Sequence, residues 1–581
     1  MEKVVIIGGV AGGASAAARL RRLAEKLEII IFERGEHISY ANCGLPYFVG
    51  GVITERNKLF VQTPLSFSKR FNIDVRVRHN VESIDRPNKR VQVRNLETGE
   101  IFYETYDKLI LSPGAEPIKP PIPGVDLPGI FTLRNVTDMD RIVSHVDEKK
   151  PRRAVIVGAG FIGLEMAENL HHRGVFVTIV EMADQVMTPL DFEMAAAVHQ
   201  HLKTKKVEFY LKDAVQAFSE KSKKLAVKLQ SGRELEADLV ILSIGVKPES
   251  KLVRDCGLEI GPAGGIKVDE HMMTADPDIY AVGDAIEFRN PIIGKQMIAY
   301  LAGPSTKQAR IAANNIIFNN TESYRGTIAT AIAKVFDLTV ASTGASEKLL
   351  RQHNIPYRSS IIHTASHAGY YPNAQPMTIK LQFSPDDGKV YGAQIVGYVG
   401  VDKRIDLIAT VIKCGGTVYN MTEIEHAYAP PFSSSKDPVN IAGYVAENIL
   451  KGLVDIVHWY ELEDLDPKTY LLLDVRNDDE VKLGTIPGSK HIPLDALRSR
   501  LSELPRDKRL VVFCAAGLRG YLACRILTQN GFKNVVNLSG GYKTYEHTIG
   551  KQSNEDIYEH MYIAKDNLIY STEPTVKKSN K

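Results

Sequence analysis

Five cysteines are the residues of this chain with the greatest potential for covalent chemistry: Cys43, Cys256, Cys414, Cys514 and Cys524. Their number is odd, and no two of them have the C-x-x-C spacing typical of zinc ligands. We therefore expect reduced thiols, most of which fill the core. Reactivity is expected for Cys43 and Cys514, because each lies in a run of residues that suits sulfur chemistry.

The first candidate, Cys43, stands alone in the run Ser39-Tyr40-Ala41-Asn42-Cys43-Gly44-Leu45-Pro46-Tyr47. A thiolate without a near neighbour cannot close an internal disulfide, so its reaction partner comes from outside the chain. That partner is either a substrate thiol or the oxygen of a sulfenic acid. A Cys43 that only fills the core is the alternative.

The second candidate, Cys514, begins the run Cys514-Ala515-Ala516-Gly517-Leu518-Arg519, directly after the apolar strand from Leu510 to Phe513. A loop at this place is expected to form a cradle of backbone N–H groups around the sulfur. Such a cradle lowers the pKa of a thiol and stabilises a persulfide anion. The run is compatible with sulfur transfer, with phosphatase chemistry or with an inactive fold.

A glycine-rich turn, Gly158-Ala159-Gly160-Phe161-Ile162-Gly163, follows the apolar strand from Ala154 to Val157 and precedes a helix. Glu181 ends the next strand. The helix N-terminus at such a turn binds a pyrophosphate, and the distal acid binds ribose hydroxyls. Strand, turn, helix and acid together predict a dinucleotide site, with a purely structural turn as the alternative.

The same unit occurs earlier, at Gly8-Gly9-Val10-Ala11-Gly12-Gly13 between the strand Val4 to Ile7 and a helix, with Glu33 as the distal acid. Val10 occupies the position of the middle glycine, so its side chain must turn away from the phosphate. We therefore predict a second dinucleotide site in the same chain.

Composition and charge exclude several other classes of function. The 581 residues contain 72 Lys+Arg and 69 Asp+Glu, a formal net charge of +3, which favours neither nucleic acid nor an anionic membrane as partner. No apolar run approaches the ~18 residues of a membrane helix. Met1 leads almost directly into a strand, without room for a targeting segment, so a cytoplasmic location is expected.

The order of the two turns resembles the FAD- and NAD(P)H-dependent pyridine nucleotide–disulfide oxidoreductases. In that family the first nucleotide-binding domain is interrupted by the second and resumes afterwards, here around Gly245 and Asp284. The resemblance implies FAD at the first turn and NADH, or NADPH, at the second; Glu181 favours NADH because it would repel a 2′-phosphate. It implies that the following residues bind the two dinucleotides: Gly8, Gly9, Val10, Ala11, Gly12, Gly13, Glu33, Arg34, Val81, Ser112, Gly114, Asp284, Ala302, Gly158, Gly160, Phe161, Gly163, Glu181 and Gly245.

The spacing of Ser39, Asn42 and Cys43 resembles the coenzyme A disulfide reductases, over roughly residues 1–447. Their sister enzymes, NADH peroxidases and oxidases, carry a His that activates peroxide where this chain has Ala11. The resemblance implies that two tyrosines of the second subunit, Tyr370 and Tyr428, reach the reactive sulfur. It also implies that coenzyme A is bound by these residues: Ser15, Arg19, Arg22, Ser39, Asn42 and Lys436. A solvated basic face on the first helix is the alternative for its two arginines.

The C-terminal runs Leu471 to Arg476, Gly484 to Ser489 and His491 to Pro493 resemble a rhodanese domain. Four residues separate Cys514 from Arg519, as in rhodaneses, whereas the related phosphatases have five. The resemblance implies that Cys514 and Arg519 are catalytic and that Cys524, on the following helix, is structural.

The predicted fold is α/β, with two Rossmann-like FAD/NAD(P)-binding domains, an α+β dimerisation domain and a C-terminal rhodanese α/β domain. One predicted strand of the dimerisation domain runs from Lys334 to Thr339. The expected boundaries are 1–120 and 249–324 for the two parts of the FAD-binding domain, 121–248 for the NAD(P)H-binding domain, 325–447 for the dimerisation domain, 448–460 for a linker, 461–550 for the rhodanese domain and 551–581 for a polar tail.

The whole chain resembles fusions of a coenzyme A disulfide reductase with a rhodanese, also described as NADH-dependent persulfide reductases. The resemblance implies a homodimer in which NADH reduces FAD and FAD delivers electrons to Cys43. The substrates would be small-molecule thiols and persulfides: coenzyme A persulfide, a polysulfide or coenzyme A disulfide, which the sequence does not rank. Cys514 would deliver sulfane sulfur, with coenzyme A as bound substrate or carrier.

Two rival functions stay open on the sequence. One is an NADH oxidase or peroxidase acting through a Cys43 sulfenic acid, against which Ala11 argues. The other is a non-catalytic redox sensor whose rhodanese domain docks a partner, against which the pairing of Cys514 with Arg519 argues.

Overall fold

The structure, a computed structural model, describes residues 3–466 and 468–550. The predicted tail, 551–581, lies outside the described residues. Among the helices of the described part, none is both long and apolar enough to cross a bilayer.

Three α/β segments form the chain up to residue 318. The first contains β1 (Lys3–Ile7), α1 (Ala11–Leu23), β2 (Glu28–Glu33), α2 (Leu45–Val49), α3 (Pro64–Phe71), β3 (Asp74–Val77), β4 (His79–Asp85), β5 (Arg90–Asn95), β6 (Ile101–Thr105), β7 (Lys108–Leu111) and β8 (Ala115–Pro117). The second contains β9 (Ile130–Phe131), α4 (Val136–Lys149), β10 (Arg153–Val157), α5 (Phe161–His172), β11 (Phe176–Val180), α6 (Phe192–Thr204), β12 (Glu208–Tyr210), β13 (Val215–Lys221), β14 (Lys224–Leu229), β15 (Glu234–Ala237) and β16 (Leu239–Leu242). The third contains β17 (Val246–Pro248), α7 (Lys251–Asp255), β18 (Ile279–Ala281), β19 (Phe288–Arg289), β20 (Gln296–Met297) and α8 (Ala302–Phe318).

Two further segments complete the described chain. The fourth contains β21 (Ala331–Val335), β22 (Leu338–Gly344), α9 (Glu347–Gln352), β23 (Arg358–Ala365), β24 (Pro376–Phe383), β25 (Val390–Gly397), α10 (Val401–Lys413), α11 (Val418–Glu423) and α12 (Pro438–Leu450). The fifth contains β26 (Asp455–Val457), β27 (Tyr470–Asp474), α13 (Asp478–Lys482), β28 (Lys490–His491), α14 (Leu494–Leu497), β29 (Arg509–Phe513), α15 (Leu518–Gln529), β30 (Val535–Leu538) and α16 (Gly541–Ile549).

Two parallel five-stranded sheets carry the glycine turns. The first has the order β18-β7-β1-β2-β3, so β18, from the third segment, completes a sheet begun in the first. The second has the order β12-β11-β10-β16-β9. The chain passes between the two on β8 and β17, which pair antiparallel. The predicted α/β fold, with one nucleotide-binding domain interrupted by another, is confirmed.

The glycines of both turns are required by a close approach of helix and strand. A Cβ on Gly13, in α1, would lie 1.8 Å from the carbonyl oxygen of Gly8. A Cβ on Gly163, in α5, would lie 2.0 Å from the carbonyl oxygen of Gly158. Only glycine lets each helix begin this close to the end of its strand, which brings the helix N-terminus over the ligand position.

The fourth segment is an antiparallel sheet, ordered β21-β22-β25-β24-β23, with helices packed on it. The predicted strand from Lys334 to Thr339 is wrong, because the chain reverses within it. β21 ends at Val335 and β22 starts at Leu338, with Phe336 in a left-handed conformation (φ 56°). Apolar residues on both sides of this tight turn concealed it in the sequence.

The fifth segment is a parallel sheet with the order β26-β30-β29-β27-β28. The predicted linker, 448–460, is wrong: α12 continues to Leu450, and β26 pairs with β30 at the edge of this sheet. Val457 is fully buried there, so this short apolar run completes the sheet and does not stay in solvent. The last domain therefore follows the dimerisation domain with hardly any free chain between them.

The dimerisation and last domains share one apolar core. Buried side chains form a single cluster that runs from the antiparallel sheet through Ile449 and Val454 to Leu473 and Val512 of the last sheet. In addition, α16 packs against α6 of the second nucleotide-binding domain. The last domain is thus held on two sides by the rest of the chain.

Lys380, on β24, is the charged centre of the junction between these domains. Its Nζ lies 3.0 Å from Asp191, 2.5 Å from Glu193 and 2.6 Å from Glu347, and the four side chains are almost completely buried. Burial alone would lower the pKa of Lys380, but the three carboxylates raise it well above its ordinary value, so the ammonium stays charged. Tyr460, of the last domain, donates to Glu347 at 2.8 Å.

Replacement of Lys380 by Met should leave three buried carboxylates without their shared cation and cost about 3–5 kcal/mol of stability. We expect a lower midpoint of thermal unfolding and a red shift in the emission of Trp459, the only tryptophan, whose ring lies 5.7 Å from Phe192 at this junction. The control Lys221→Met removes an exposed ion pair with Glu234 and should leave the unfolding midpoint almost unchanged. Equal midpoints for the two variants would contradict this account.

Candidate active sites

The first glycine turn has the geometry of a dinucleotide site. The N–H of Gly9 donates to Oε2 of Glu33 at 2.8 Å, and the N–H of Gly35 donates to Oε1 at 2.7 Å. These bonds fix the carboxylate at the end of β2 and leave it free lone pairs for ribose hydroxyls. The N–H groups in the first turn of α1 lack acceptors within the helix, as a pyrophosphate site requires. The residues present therefore fit FAD.

Three more of the predicted FAD residues lie at the carboxyl ends of neighbouring strands. Ser112 and Gly114 follow β7, and Asp284 follows β18. A Cβ on Gly114 would meet no atom of the described residues within 4 Å, so this turn faces open space among them. Burial raises the pKa of the Asp284 carboxyl, while the hydroxyl of Ser305 donates to it at 3.2 Å and lowers that pKa. These positions converge on the side of the sheet where α1 begins.

The remaining predicted FAD residues, Arg34, Val81 and Ala302, lie on or next to three different elements of this domain. Ala302 is the first residue of α8. Arg34 makes a bidentate ion pair with Glu249, at 2.5 and 2.7 Å, and so joins the two parts of the domain. Val81, in β4, packs its side chain in the domain core, which leaves its backbone as the part able to meet a ligand.

The second turn is open in front of Gly160, where a Cβ would meet no atom of residues 3–466 and 468–550 within 4 Å. Glu181 is held by the N–H groups of Ala159 at 2.7 Å and Ala183 at 2.9 Å, the same arrangement as at Glu33. Phe161 begins α5, and Gly245 follows β16 with φ +121°. The open space and the fixed carboxylate fit a nicotinamide dinucleotide.

Cys43 lies in a single 3₁₀ turn, Asn42–Gly44, directly before α2. Its thiol is exposed, and all five cysteines are free. Partial burial raises the pKa of Cys43, and the carboxylates of Glu165 and Asp284 raise it further. These two acids belong to different nucleotide-binding domains, so the lone thiol lies between the two predicted dinucleotide sites.

Glu165 is a site residue that sequence reasoning missed. It lies on α5, and the hydroxyl of Tyr47 donates to its Oε1 at 3.3 Å. Burial raises the pKa of Glu165 to about 7, and the bond from Tyr47 opposes that shift. Its position four residues after Phe161 places both on one helix face, and this spacing was the available signal.

The structure brings the two predicted tyrosines together. The hydroxyl oxygens of Tyr370 and Tyr428 are 3.0 Å apart, although 58 residues separate them in the chain. Tyr370 is 76% exposed and Tyr428 48% exposed. Two adjacent phenols projecting from a dimerisation domain suit a role in the site of a second subunit.

The predicted basic cluster on α1 gains a member from another helix. Ser15, Arg19 and Arg22 share one face, and the Nε of Arg19 donates to Asn314 of α8 at 2.7 Å. Burial lowers the pKa of Arg19, and the nearby charges of Arg310 and Arg22 lower it further. Arg310, also on α8, was missed because it lies almost 300 residues away in the sequence.

The other predicted coenzyme A residues occupy two separate regions. Ser39 has a left-handed backbone (φ 46°) in the segment that leads to Asn42 and Cys43. Lys436 lies in the dimerisation domain, immediately before α12, and is exposed.

Cys514 follows β29 and is almost completely buried. The N–H of Gly517 donates to its sulfur at 3.1 Å, which is the start of the predicted cradle. Arg519 makes two bonds of 2.6 Å to Glu480. Glu480 raises the pKa of Arg519, and the adjacent Cys514 raises it further, so a fixed cation stands beside the thiol.

The residues that pack around the Cys514 loop had no role assigned to them from the sequence. Tyr542 donates its N–H to the carbonyl oxygen of Cys514 at 2.8 Å. The guanidinium of Arg476 lies 4.0 Å from the ring centroid of Tyr542 and bonds Asp474. Cys524 is buried, and burial raises its pKa, which suits the predicted structural role.

Three segments of the chain match known families. Residues 2–313 match the pyridine nucleotide-disulphide oxidoreductase family, residues 330–438 match its dimerisation domain, and residues 459–548 match the rhodanese-like domain. A coenzyme A disulfide reductase from Staphylococcus haemolyticus is 35% identical over 449 residues, which are 77% of this chain and 100% of that protein.

Two solved structures extend the likeness to the C-terminal domain. Reduced Bacillus anthracis CoADR-RHD is 52% identical, with a TM-score of 0.93 over 95% of this chain and 99% of that one. An NAD-dependent persulfide reductase from A. fulgidus is 38% identical, with a TM-score of 0.87 over 94% of this chain and 100% of that one.

Replacement of Gly160 by Ala should leave folding intact but weaken NADH binding, because the added methyl group enters the space in front of the turn. We expect an unchanged midpoint of thermal unfolding and a KM for NADH raised about tenfold, or about 1.4 kcal/mol. The neighbouring Gly163→Ala should instead destabilise the fold, because its methyl group meets Gly158. A Gly160→Ala enzyme with normal KM would contradict the assignment.

Replacement of Glu165 by Gln should stabilise the protein in alkaline solution. The pKa of Glu165 rises on folding from an ordinary 4.5 to about 7, so its contribution to stability is full below 4.5 and is lost as pH rises through 7. Gln does not titrate and avoids this loss. The gain in unfolding midpoint of the variant should therefore grow between about pH 5 and about pH 8; a gain independent of pH would contradict the burial of this carboxyl.

Proposed function

The chain belongs to the pyridine nucleotide-disulphide oxidoreductases, and within them to the coenzyme A disulfide reductases, and we propose that it reduces coenzyme A persulfide, polysulfide or coenzyme A disulfide at Cys43. FAD, when bound, supplies the chemistry of accepting two electrons from NADH and passing them to sulfur. The observation that carries the proposal is the exposed, unpaired Cys43 thiol between the two dinucleotide sites.

Cys43 acts as the nucleophile in this reaction. Its thiolate attacks a sulfur atom of the acceptor, an S–S bond forms to Cys43, and the old S–S bond breaks to release a thiol or hydrogen sulfide. Two electrons that originate from NADH then cleave the new S–S bond, which restores the Cys43 thiolate and releases the second sulfur as a thiolate or hydrosulfide. Burial and the nearby carboxylates of Glu165 and Asp284 raise the pKa of Cys43, so Cys43 must lose a proton before it attacks, and the departing sulfur must gain one from a donor beside it.

The proton donors come from a second subunit in this proposal. The match to a dimerisation domain supports a homodimer, and the paired hydroxyls of Tyr370 and Tyr428 project from that domain. A phenol beside Cys43 of the partner subunit would hydrogen-bond the departing thiolate and supply its proton. The cluster of Arg19, Arg22 and Arg310 would hold the phosphates of coenzyme A.

The rhodanese-like domain supplies sulfur to the reductase. Cys514 would carry sulfane sulfur as a persulfide, stabilised by the N–H of Gly517 and the charge of Arg519. Coenzyme A, as bound substrate or carrier, would take this sulfur to Cys43. Because Glu181 is held by two backbone N–H groups, it cannot turn away from a 2′-phosphate, which favours NADH over NADPH.

The rival function, an NADH oxidase or peroxidase, is not favoured. The curated relative is a coenzyme A disulfide reductase, the matched structures include a persulfide reductase, and Ala11 offers no group to activate peroxide. A cytoplasmic location stays a prediction from the sequence.

Cys43→Ser and Cys514→Ser should separate the two half-reactions. Cys43→Ser should lower NADH-dependent reduction of coenzyme A persulfide at least about a hundredfold, since a hydroxyl is a far weaker nucleophile, while bound flavin and thiosulfate sulfurtransferase activity remain. Cys514→Ser should lower the thiosulfate sulfurtransferase activity by a similar factor, while NADH-dependent reduction of added coenzyme A persulfide remains. The measurements are NADH consumption with added persulfide and thiocyanate formation from thiosulfate and cyanide.

The exposed Cys414→Ser serves as the control and should leave both activities unchanged. Persulfide reduction that survives in Cys43→Ser would refute the proposed function. Sulfurtransferase activity that survives in Cys514→Ser would refute only the role of the second thiol.

A further inference from the structure

The exposed tyrosine pair raises the question of what holds it in place. Tyr370 lies in the first tyrosine loop (366–375) and Tyr428 in the second tyrosine loop (424–437), and both loops lack helix and strand. The two side chains are too exposed for packing to fix them. The 3.0 Å separation of their hydroxyls therefore depends on where the backbones of the two loops lie, together with the hydrogen bond between the two phenols.

A single buried arginine contacts both loops. Arg404, on α10, is 1% exposed. Its Nη2 donates to the carbonyl oxygen of Ser366, in the first loop, at 2.8 Å and to Oδ2 of Asp437, at the end of the second loop, at 2.9 Å. Its Nη1 donates to the carbonyl oxygen of Gly400 at 3.0 Å. Only glycine fits there, because a Cβ on Gly400 would lie 2.1 Å from Nη1.

Asp437 connects Arg404 to the second tyrosine loop through further hydrogen bonds. It is fully buried and accepts the hydroxyl of Ser433 at 2.5 Å and the N–H of Val439 at 3.1 Å. Ser433 in turn accepts, on its carbonyl oxygen, the N–H of Ala368 in the first loop at 3.0 Å. The two loops and α10 thus form one closed set of hydrogen bonds around the Arg404–Asp437 ion pair.

This arrangement does more than fill a core. A buried ion pair is often no more stabilising than apolar side chains of the same volume, so its value lies in the direction of its bonds. The planar guanidinium supplies several N–H donors at fixed angles, which a lysine or an apolar side chain cannot reproduce. Here those donors fix the relative position of the two loops that carry Tyr370 and Tyr428.

We propose that Arg404 and Asp437 are positioning residues for the reductive reaction, which align the two tyrosine loops so that Tyr370 and Tyr428 present adjacent hydroxyls to the sulfur at Cys43 of the partner subunit. The proposal rests on the proposed function. It requires no contact between Arg404 and the substrate, since the ion pair acts through the loop backbones.

Steady-state kinetics of the full-length, FAD-loaded enzyme with coenzyme A disulfide test this proposal. Arg404→Lys keeps the positive charge but loses the planar set of N–H donors. We expect kcat to fall about tenfold, with KM changed less than about twofold. Ser433→Ala removes one bond to Asp437 without leaving an unpaired charge, and it should lower kcat about threefold. Thr410→Val, on the same helix as Arg404, removes a bond within that helix and should change neither constant.

A double-mutant cycle gives the result that a merely structural role would not produce. In an enzyme that carries Tyr370→Phe and Tyr428→Phe, the further change Arg404→Lys or Ser433→Ala should lower kcat less than about twofold, because the groups being aligned are gone. An equal loss of kcat with and without the tyrosines would overturn the positioning role, as would a normal kcat in both Arg404→Lys and Ser433→Ala. Should Arg404→Lys fail to fold, Ser433→Ala alone decides.

The same experiments distinguish a failure of the positioning proposal from a failure of the proposed reductase function. Full activity of the enzyme that lacks both tyrosine hydroxyls would overturn the positioning proposal while leaving Cys43 as the nucleophile. Activity in Cys43→Ser would overturn the proposed function itself.

Discussion

The buried ammonium of Lys380 is the interaction on which the arrangement of domains depends. One cation holds three carboxylates: Asp191 and Glu193 from the second nucleotide-binding domain, and Glu347 from the dimerisation domain. Burial raises the pKa of Glu347, but Lys380 lowers it to about 2, so the carboxylate stays charged and bonded to Tyr460 of the last domain. Charges so deeply buried are tolerable only when every partner is in place. The cluster therefore selects one relative position of these domains.

A fixed last domain has consequences for how sulfur moves. The apolar core continues from the dimerisation domain into the rhodanese-like domain, and the chain between α12 and β26 is only a few residues long. These features favour a small carrier that moves between Cys514 and Cys43 over a swing of the whole domain. The two thiols also differ in surroundings: Cys43 is exposed beside carboxylates, and Cys514 is buried beside a backbone N–H and a guanidinium. One suits attack on a substrate, and the other suits storage of a persulfide anion.

Chemistry in this molecule is positioned by pairs of residues that are remote in sequence. The Tyr370–Tyr428 pair, the Arg19–Arg310 pair and the Glu480–Arg519 pair each join different elements of the fold. Tyr370 and Tyr428 were both recognisable in the sequence, whereas Arg310 and Glu480 each supply a charge or hydrogen bond from a neighbouring element to a motif residue. The motif residues supply the reactive groups, and their partners determine how those groups are oriented and whether they carry a charge.

The sequence by itself determined the local units: two strand–turn–helix motifs with their distal acids, the lone Cys43 and the six-residue loop from Cys514 to Arg519. These are contiguous, and their glycines and apolar runs follow from backbone geometry within a few residues. Only the tertiary structure decided that Asp455–Val457 joins a sheet, that Glu165 lies beside Cys43 and that Arg404 connects two loops. Those outcomes depend on contacts between segments far apart in the chain and on burial, and neither distance nor burial is encoded in the local pattern of residue types.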